Sequence, residues 1–198
     1  MSYNVFISFR FKDGAKYKKE LSECFDSNED TVDFSEDKDR SMMTEDTIKR
    51  YLYGKLRRSS VTIVLLTPLA VNHQKDIWGR YDDWMYDEIR YSLEDRENNR
   101  TNALIAVYTK EAADQLVKVG ENSTTVFDVD NLFRRNMMNV KDSYKRNPKA
   151  GFFDQDYDSY CSLVEYDKFY KNPGKYIEIA LEKRKNRNQF VIHKRMED

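Results

Sequence analysis

Glu88 stands where a carboxylate is least expected. In the segment Tyr81-Asp82-Asp83-Trp84-Met85-Tyr86-Asp87-Glu88-Ile89-Arg90-Tyr91-Ser92-Leu93, helical spacing puts Tyr81, Trp84, Met85, Glu88, Ile89 and Ser92 on one face. Asp82, Asp83, Asp87 and Arg90 fall elsewhere, as a solvated face would have them. An unpaired carboxylate in an apolar setting costs roughly several kcal/mol, so Glu88 is either matched by a partner or kept there for chemistry. On this pattern alone, a structural ion pair with Arg or Lys in a packed groove is the favoured explanation.

The elements that must position this residue read as an alternation. Tyr3-Asn4-Val5-Phe6-Ile7-Ser8-Phe9 is an aromatic and β-branched first strand, followed after Gly14 by a helical pattern from Ala15 to Phe25. Thr31-Val32-Asp33-Phe34 is a short second strand, and Ser35 to Asp46 a polar loop. A helix opening at Thr44-Glu45-Asp46, with acids in its first turn, runs to about Arg58. Ser60 to Thr67 is a nearly continuous apolar run, as in a central parallel strand covered on both faces, and Pro68 ends it. After the Glu88 helix, Asn102 to Tyr108 is another buried strand. Such alternation predicts a flavodoxin-like, doubly wound parallel α/β sheet with its ligand crevice beyond the carboxyl ends of the strands, where Ser8, Phe9 and Arg10 stand. From about Glu111 the pattern weakens into a helical or irregular C-terminal extension, in which Asn172-Pro173-Gly174 opens a last helix. The basic stretch Lys183 to Arg187 reads as the C-terminus of that helix.

Composition excludes several classes. The 198 residues hold 34 basic and 35 acidic side chains, and a net charge of -1 argues against nucleic acid as a partner. No apolar run approaches the ~20 residues of a membrane span, and the N-terminus has no signal-peptide pattern. Two cysteines in no motif, Cys24 and Cys161, suit reduced thiols and a cytoplasmic location. Two histidines and two unassociated cysteines make no metal site. Asp154, Asp156, Asp158 and Glu165 fall at calcium-loop spacing, but Ser159 replaces the turn glycine, so chance clustering explains them better. There is no phosphate-cradling glycine motif and no nucleophile elbow.

Three ordered motifs carry a family resemblance. Val5-Phe6-Ile7-Ser8-Phe9-Arg10 resembles the first strand of Toll/interleukin-1 receptor (TIR) domains, Thr62-Ile63-Val64-Leu65-Leu66-Thr67-Pro68 resembles their third strand and its exit, and Trp84-Met85-Tyr86-Asp87-Glu88-Ile89 resembles their Trp-x-x-x-Glu helix. The divergent C-terminal part is similar to the TIR-like proteins of bacterial antiphage Thoeris systems, the ThsB type. The resemblance implies a TIR-like domain over residues 1–120 and a C-terminal extension over 121–198 packed on the same domain. It implies an enzyme that cleaves NAD between nicotinamide and ribose to make an ADP-ribose-derived, possibly cyclic, signal, with Glu88 catalytic and no cofactor beyond NAD as substrate. Ser8, Phe9 and Arg10 would then line the NAD site with Trp84, and so would Ser35 and Asp37 of the family's BB loop. That loop, Ser35 to Met43, lacks the common Pro-Gly. Implied partners are further copies of the chain, through TIR–TIR contacts, and a separately encoded effector that reads the product.

With the three motifs together, catalysis displaces the ion pair as the reading of Glu88. Its chemistry is consistent: glycosidic cleavage builds oxocarbenium charge on the ribose, which a carboxylate stabilises, more strongly where water is excluded. By pattern, Trp84 is expected to pack in the core. The alternatives are a non-enzymatic TIR scaffold acting by homotypic assembly, and a module that senses a nucleotide without cleaving it.

Overall fold

Every residue of the apolar run Val61–Leu66 is buried. In the computed structural model, which describes residues 3–26, 31–33, 45–95, 100–149 and 151–197, this run is the middle strand of a five-stranded sheet. The strands are β1 (Tyr3–Ser8), β2 (Thr31–Asp33), β3 (Val61–Leu66), β4 (Ala103–Tyr108), β5 (Val117–Val119), β6 (Thr124–Val126) and β7 (Cys161–Glu165). The sheet order is β2-β1-β3-β4-β7, and every pairing is parallel, with Val5 opposite Val61, Ile63 opposite Ile105 and Ala106 opposite Leu163. β5 and β6 form a separate antiparallel hairpin. The chain leaves β1 toward β2 on one side, then crosses back to β3 on the other. That reversal makes the β1/β3 boundary the switch point of a flavodoxin-type doubly wound fold.

The helices are α1 (Phe11–Asp26), α2 (Glu45–Arg58), α3 (Trp84–Leu93), α4 (Ala113–Leu116), α5 (Leu132–Arg135), α6 (Tyr166–Lys171) and α7 (Pro173–Lys185). Strand alternation decides which helix covers which face. Val5, Ile7, Ile63, Leu65, Ile105 and Val107 meet Leu21 and Phe25 of α1, Phe169 of α6 and Ile177 and Ala180 of α7. On the opposite face, Val64, Leu66, Leu104 and Ala106 meet Met85, Ile89 and Leu93 of α3. Phe6 joins Leu52 and Leu56 of α2 and Tyr91 of α3. Among the described residues, no helix is long and apolar enough to cross a membrane.

Three features depart from the sequence pattern. α1 begins at Phe11, before Gly14 rather than after it. Gly14 lies in the first turn, donating its N–H to the Arg10 carbonyl at 2.8 Å, and a Cβ there would stand 3.3 Å from the Phe9 Cβ. The glycine therefore answers a close approach of helix to strand rather than marking a boundary. β7 is the second departure, because its short Leu163-Val164 core is masked by flanking acids and aromatics. Those acids serve the backbone: Asp154 Oδ1 accepts the N–H groups of Asp156 at 3.0 Å and Tyr157 at 3.2 Å, and Asp158 accepts those of Arg146 at 3.0 Å and Asp154 at 2.8 Å. The third is Lys183, which belongs to the basic end of α7 yet is buried, donating to the Ser159 carbonyl at 2.8 Å and to Ser162 Oγ at 2.6 Å. Burial pushes its pKa down to about 8.

Candidate functional site

β1 ends at Ser8, on the carboxyl edge of the sheet beside the switch point. Alternation along the strand sorts its last residues. Phe9 follows Val5 and Ile7 to the α1 face, where its ring lies 5.7 Å from that of Phe11. Ser8 and Arg10 take the other side, toward α3.

α3 is set in place by Asp83. This residue is extended (φ -145°, ψ 150°), and its Oδ1 caps the helix by accepting the Tyr86 N–H at 2.7 Å. Its Oδ2 accepts the Gln74 N–H at 2.7 Å and lies 3.0 Å from Arg10 Nη2 and 3.2 Å from His73 Nδ1. One buried carboxylate thus ties together the start of α3, the loop before it and the end of β1. Burial alone would raise the Asp83 pKa, but His73, Arg10 and the Tyr86 N–H outweigh it and hold the group below the ordinary carboxylate range. The His73 ring is fully buried, edge-on to Tyr86 at 5.2 Å between centroids.

Glu88 lies just over one turn beyond the cap and is buried. Among the described residues no Arg or Lys forms an ion pair with it, because Arg10 is engaged by Asp83. Its pKa is pushed up to about 8, first by burial and further by the negative charges of Asp83 and Asp87, while Ser8 and Arg10 pull in the opposite direction. Ser8 Oγ is buried facing the Glu88 carboxyl without a well-formed hydrogen bond to it, and Arg10 Nε is buried with no hydrogen-bond partner among the described residues. Buried polar atoms are nearly always paired, so these two are the donors a polar ligand at this edge would engage. The arrangement offers a proton-holding carboxyl, a hydroxyl and a guanidinium side by side at the carboxyl edge of the sheet.

The structure therefore brings Glu88, Ser8 and Arg10 together and separates Phe9 from them. Trp84 corrects the expectation of core packing: it is 38% exposed at the first position of α3, where the chain has only just entered the helix. Ser35 and Asp37 lie outside the described residues. Asp83 is a second correction, since a helical wheel drawn through Tyr81–Leu93 assigns it to the polar face. The helix begins at Trp84, so the wheel does not apply to Asp83, and the residue is buried. An Asp directly before the first periodic residue is an N-cap signal that identifies it. His73 carries no comparable signal in the sequence.

A family model described as "Thoeris protein ThsB, TIR-like domain" matches residues 6–114. The matched span contains Ser8, Arg10, Asp83 and Glu88, while β7 and α5 to α7 lie beyond it.

Proposed function

The chain belongs to the TIR-like family of Thoeris protein ThsB, a module of antiphage defence, and from that premise we propose that it cleaves NAD at the nicotinamide–ribose bond. The observation that carries this reading is the buried Glu88 carboxyl, with no ion-pair partner among the described residues, set beside Ser8 and Arg10 at the switch point of the sheet. In the reaction the C1′–N bond breaks, and its electron pair passes to the nicotinamide ring, neutralising the pyridinium. C1′ of the ribose acquires oxocarbenium character. Glu88, ionised in the complex, faces that charge and accepts hydrogen bonds from the ribose hydroxyls. Water then adds at C1′ and loses a proton to give ADP-ribose, or a nucleophile within the ADP-ribose moiety adds instead and gives a cyclic product. Arg10 suits the diphosphate, and Trp84, half open to solvent, suits stacking on a ring.

The rest of the proposal follows from family and composition. NAD serves as substrate, with no other cofactor. Copies of the chain associate through TIR–TIR contacts, and a separately encoded effector reads the product. The test is to incubate purified protein with NAD, alone and with lysate from infected cells, and to measure nicotinamide release and product mass. Wild type should release nicotinamide and Glu88→Gln should not. Equal release by both under activating conditions refutes the reading.

A further inference from the structure

The end of the sheet opposite Glu88 carries a groove of about 820 Å³. Tyr3 and Ser60, at the amino ends of β1 and β3, form its floor, and the last turns of α7 form one wall. It lies one strand length, roughly 17 Å, from the Ser8 end of β1.

Cations crowd this groove. Arg184 is half-buried and donates Nε to the Thr101 carbonyl at 2.7 Å, and no described residue takes up its two terminal nitrogens. Burial presses its pKa down, and Arg100 and Arg187 press it further. Arg187 is paired with Asp95 at 2.6 Å, while Arg100, placed just before β4, has no acceptor among the described residues. Of the acids on the lining, Glu178 accepts from the Tyr3 hydroxyl at 3.3 Å, and Glu182 lies one turn along α7.

A helix C-terminus explains some of this charge, since Arg184 and Lys185 complement the end of the α7 dipole. It does not explain Arg100, which comes from a different segment and brings a third guanidinium into repulsive range of Arg184. Three guanidiniums and Lys185 line the groove with Glu178 and Glu182, and of the guanidiniums only Arg187 has a carboxylate partner among the described residues, Asp95, so a counter-anion between Arg100 and Arg184 would relieve their repulsion. Arg forks pair bidentately with phosphate oxygens, and the volume falls in the range of small-molecule sites.

We propose that this groove binds a diphosphate-bearing anion, through Arg100, Arg184 and Arg187, at a site separate from the Glu88 crevice. A nucleotide diphosphate and free pyrophosphate share the chemistry. The nucleotide would add contacts between its apolar parts and Tyr3 or Leu181.

Calorimetric titration with inorganic pyrophosphate and, separately, with ADP tests this on the full chain. The variants are Arg100→Ala, Arg184→Lys and Glu88→Gln. Arg100 is exposed, so its replacement leaves the fold intact. Arg184→Lys keeps the charge and loses the fork. Losing one charge-assisted contact should weaken pyrophosphate binding about ten- to a hundredfold in Arg100→Ala, and at least several-fold in Arg184→Lys. Glu88→Gln should bind as wild type does. Tighter binding of ADP than of pyrophosphate identifies a nucleotide site, and the reverse a bare diphosphate site. The proposal is overturned if millimolar pyrophosphate gives no binding, if Arg100→Ala binds like wild type, if sulfate competes equally at matched charge, or if Glu88→Gln abolishes binding.

Discussion

Replacing Glu88 by Gln should stabilise the protein, and by an amount that grows with pH. Gln matches the protonated carboxyl in shape but cannot ionise. The folded-state pKa of about 8 stands above the ordinary 4.5, so below 4.5 the group is protonated in both folded and unfolded chains and contributes no difference. Between 4.5 and 8 only the folded state keeps the proton, and raising the pH therefore favours unfolding. Above 8 the penalty levels off. From these two values the wild type is destabilised by about 1 kcal/mol at pH 5, about 3 at pH 7 and about 5 at pH 9.

At about 2–4 °C per kcal/mol for a chain of this size, the variant should melt roughly 6–12 °C above wild type at pH 7. The gap should narrow to roughly 2–4 °C at pH 5. Thermal melts of both proteins from pH 5 to pH 9, in matched ionic strength, read the difference directly. Taking the difference cancels the titrations of groups that do not act on Glu88, and Asp83, which does, has a depressed pKa and so titrates in a more acidic window. A melting difference that stays flat over this range, or that reverses with rising pH, would refute a desolvated carboxyl at this site.

Asp83→Asn should cost about 3–5 kcal/mol, because it leaves Arg10 without its carboxylate partner, and it should abolish nicotinamide release; chemical denaturation and the NAD assay measure the two effects. Trp84→Ala should change stability by only about 1 kcal/mol, given its exposure, yet raise the KM for NAD; a large loss of stability with an unchanged KM would return Trp84 to a packing role. Gly54→Ala, inside α2 with no atom within 4 Å of the added Cβ, should raise stability by about 0.5–1 kcal/mol, read as a melting shift of a few degrees. The acid limb of kcat/KM against pH should fall near 8, the value for the empty site, whereas the limb for kcat should lie lower, and coincident limbs would argue that substrate does not interact with Glu88.

The sheet was largely legible in the sequence, because fully covered parallel strands read as unbroken apolar runs and β3 and β4 stand out as such. β7 was not, since a five-residue strand with a two-residue aliphatic core has no periodicity to separate it from the acid-rich turn before it. Glu88 and Arg10 were legible because each breaks or ends a pattern. Asp83 was hidden by extending the helical wheel back to Tyr81, three residues before α3 begins. The partnership of His73 with Asp83 spans ten residues of irregular chain, and nothing in local sequence encodes a contact made only after α3 has docked. Phe9 is parted from Ser8 and Arg10 for a simpler reason: it directly neighbours both in sequence, and the alternation of β1 carries past its end and turns neighbours to opposite faces.

Asp83 and Glu88 are two buried carboxylates on one helix start, and their surroundings drive them apart. Asp83 has three donors and a cation and stays ionised, and its charge helps keep the proton on Glu88. A protonated Glu88 is the wrong form for stabilising an oxocarbenium ion, so the resting site is disarmed near neutral pH. In the reaction proposed above, the pyridinium of NAD would reverse this. A unit positive charge within about 5 Å, at an effective dielectric of about 20, favours the carboxylate by about 3 kcal/mol. That is most of the burial penalty, and it is enough to bring the group below neutrality. On this argument the substrate's own charge arms the carboxylate. Pairing Arg10 with Asp83 is what makes the device work: Arg10 lies close enough to lower the Glu88 pKa, but the Asp83 charge offsets it, whereas an unopposed cation beside Glu88 would ionise it in the empty site and cancel the charge that the ribose must feel.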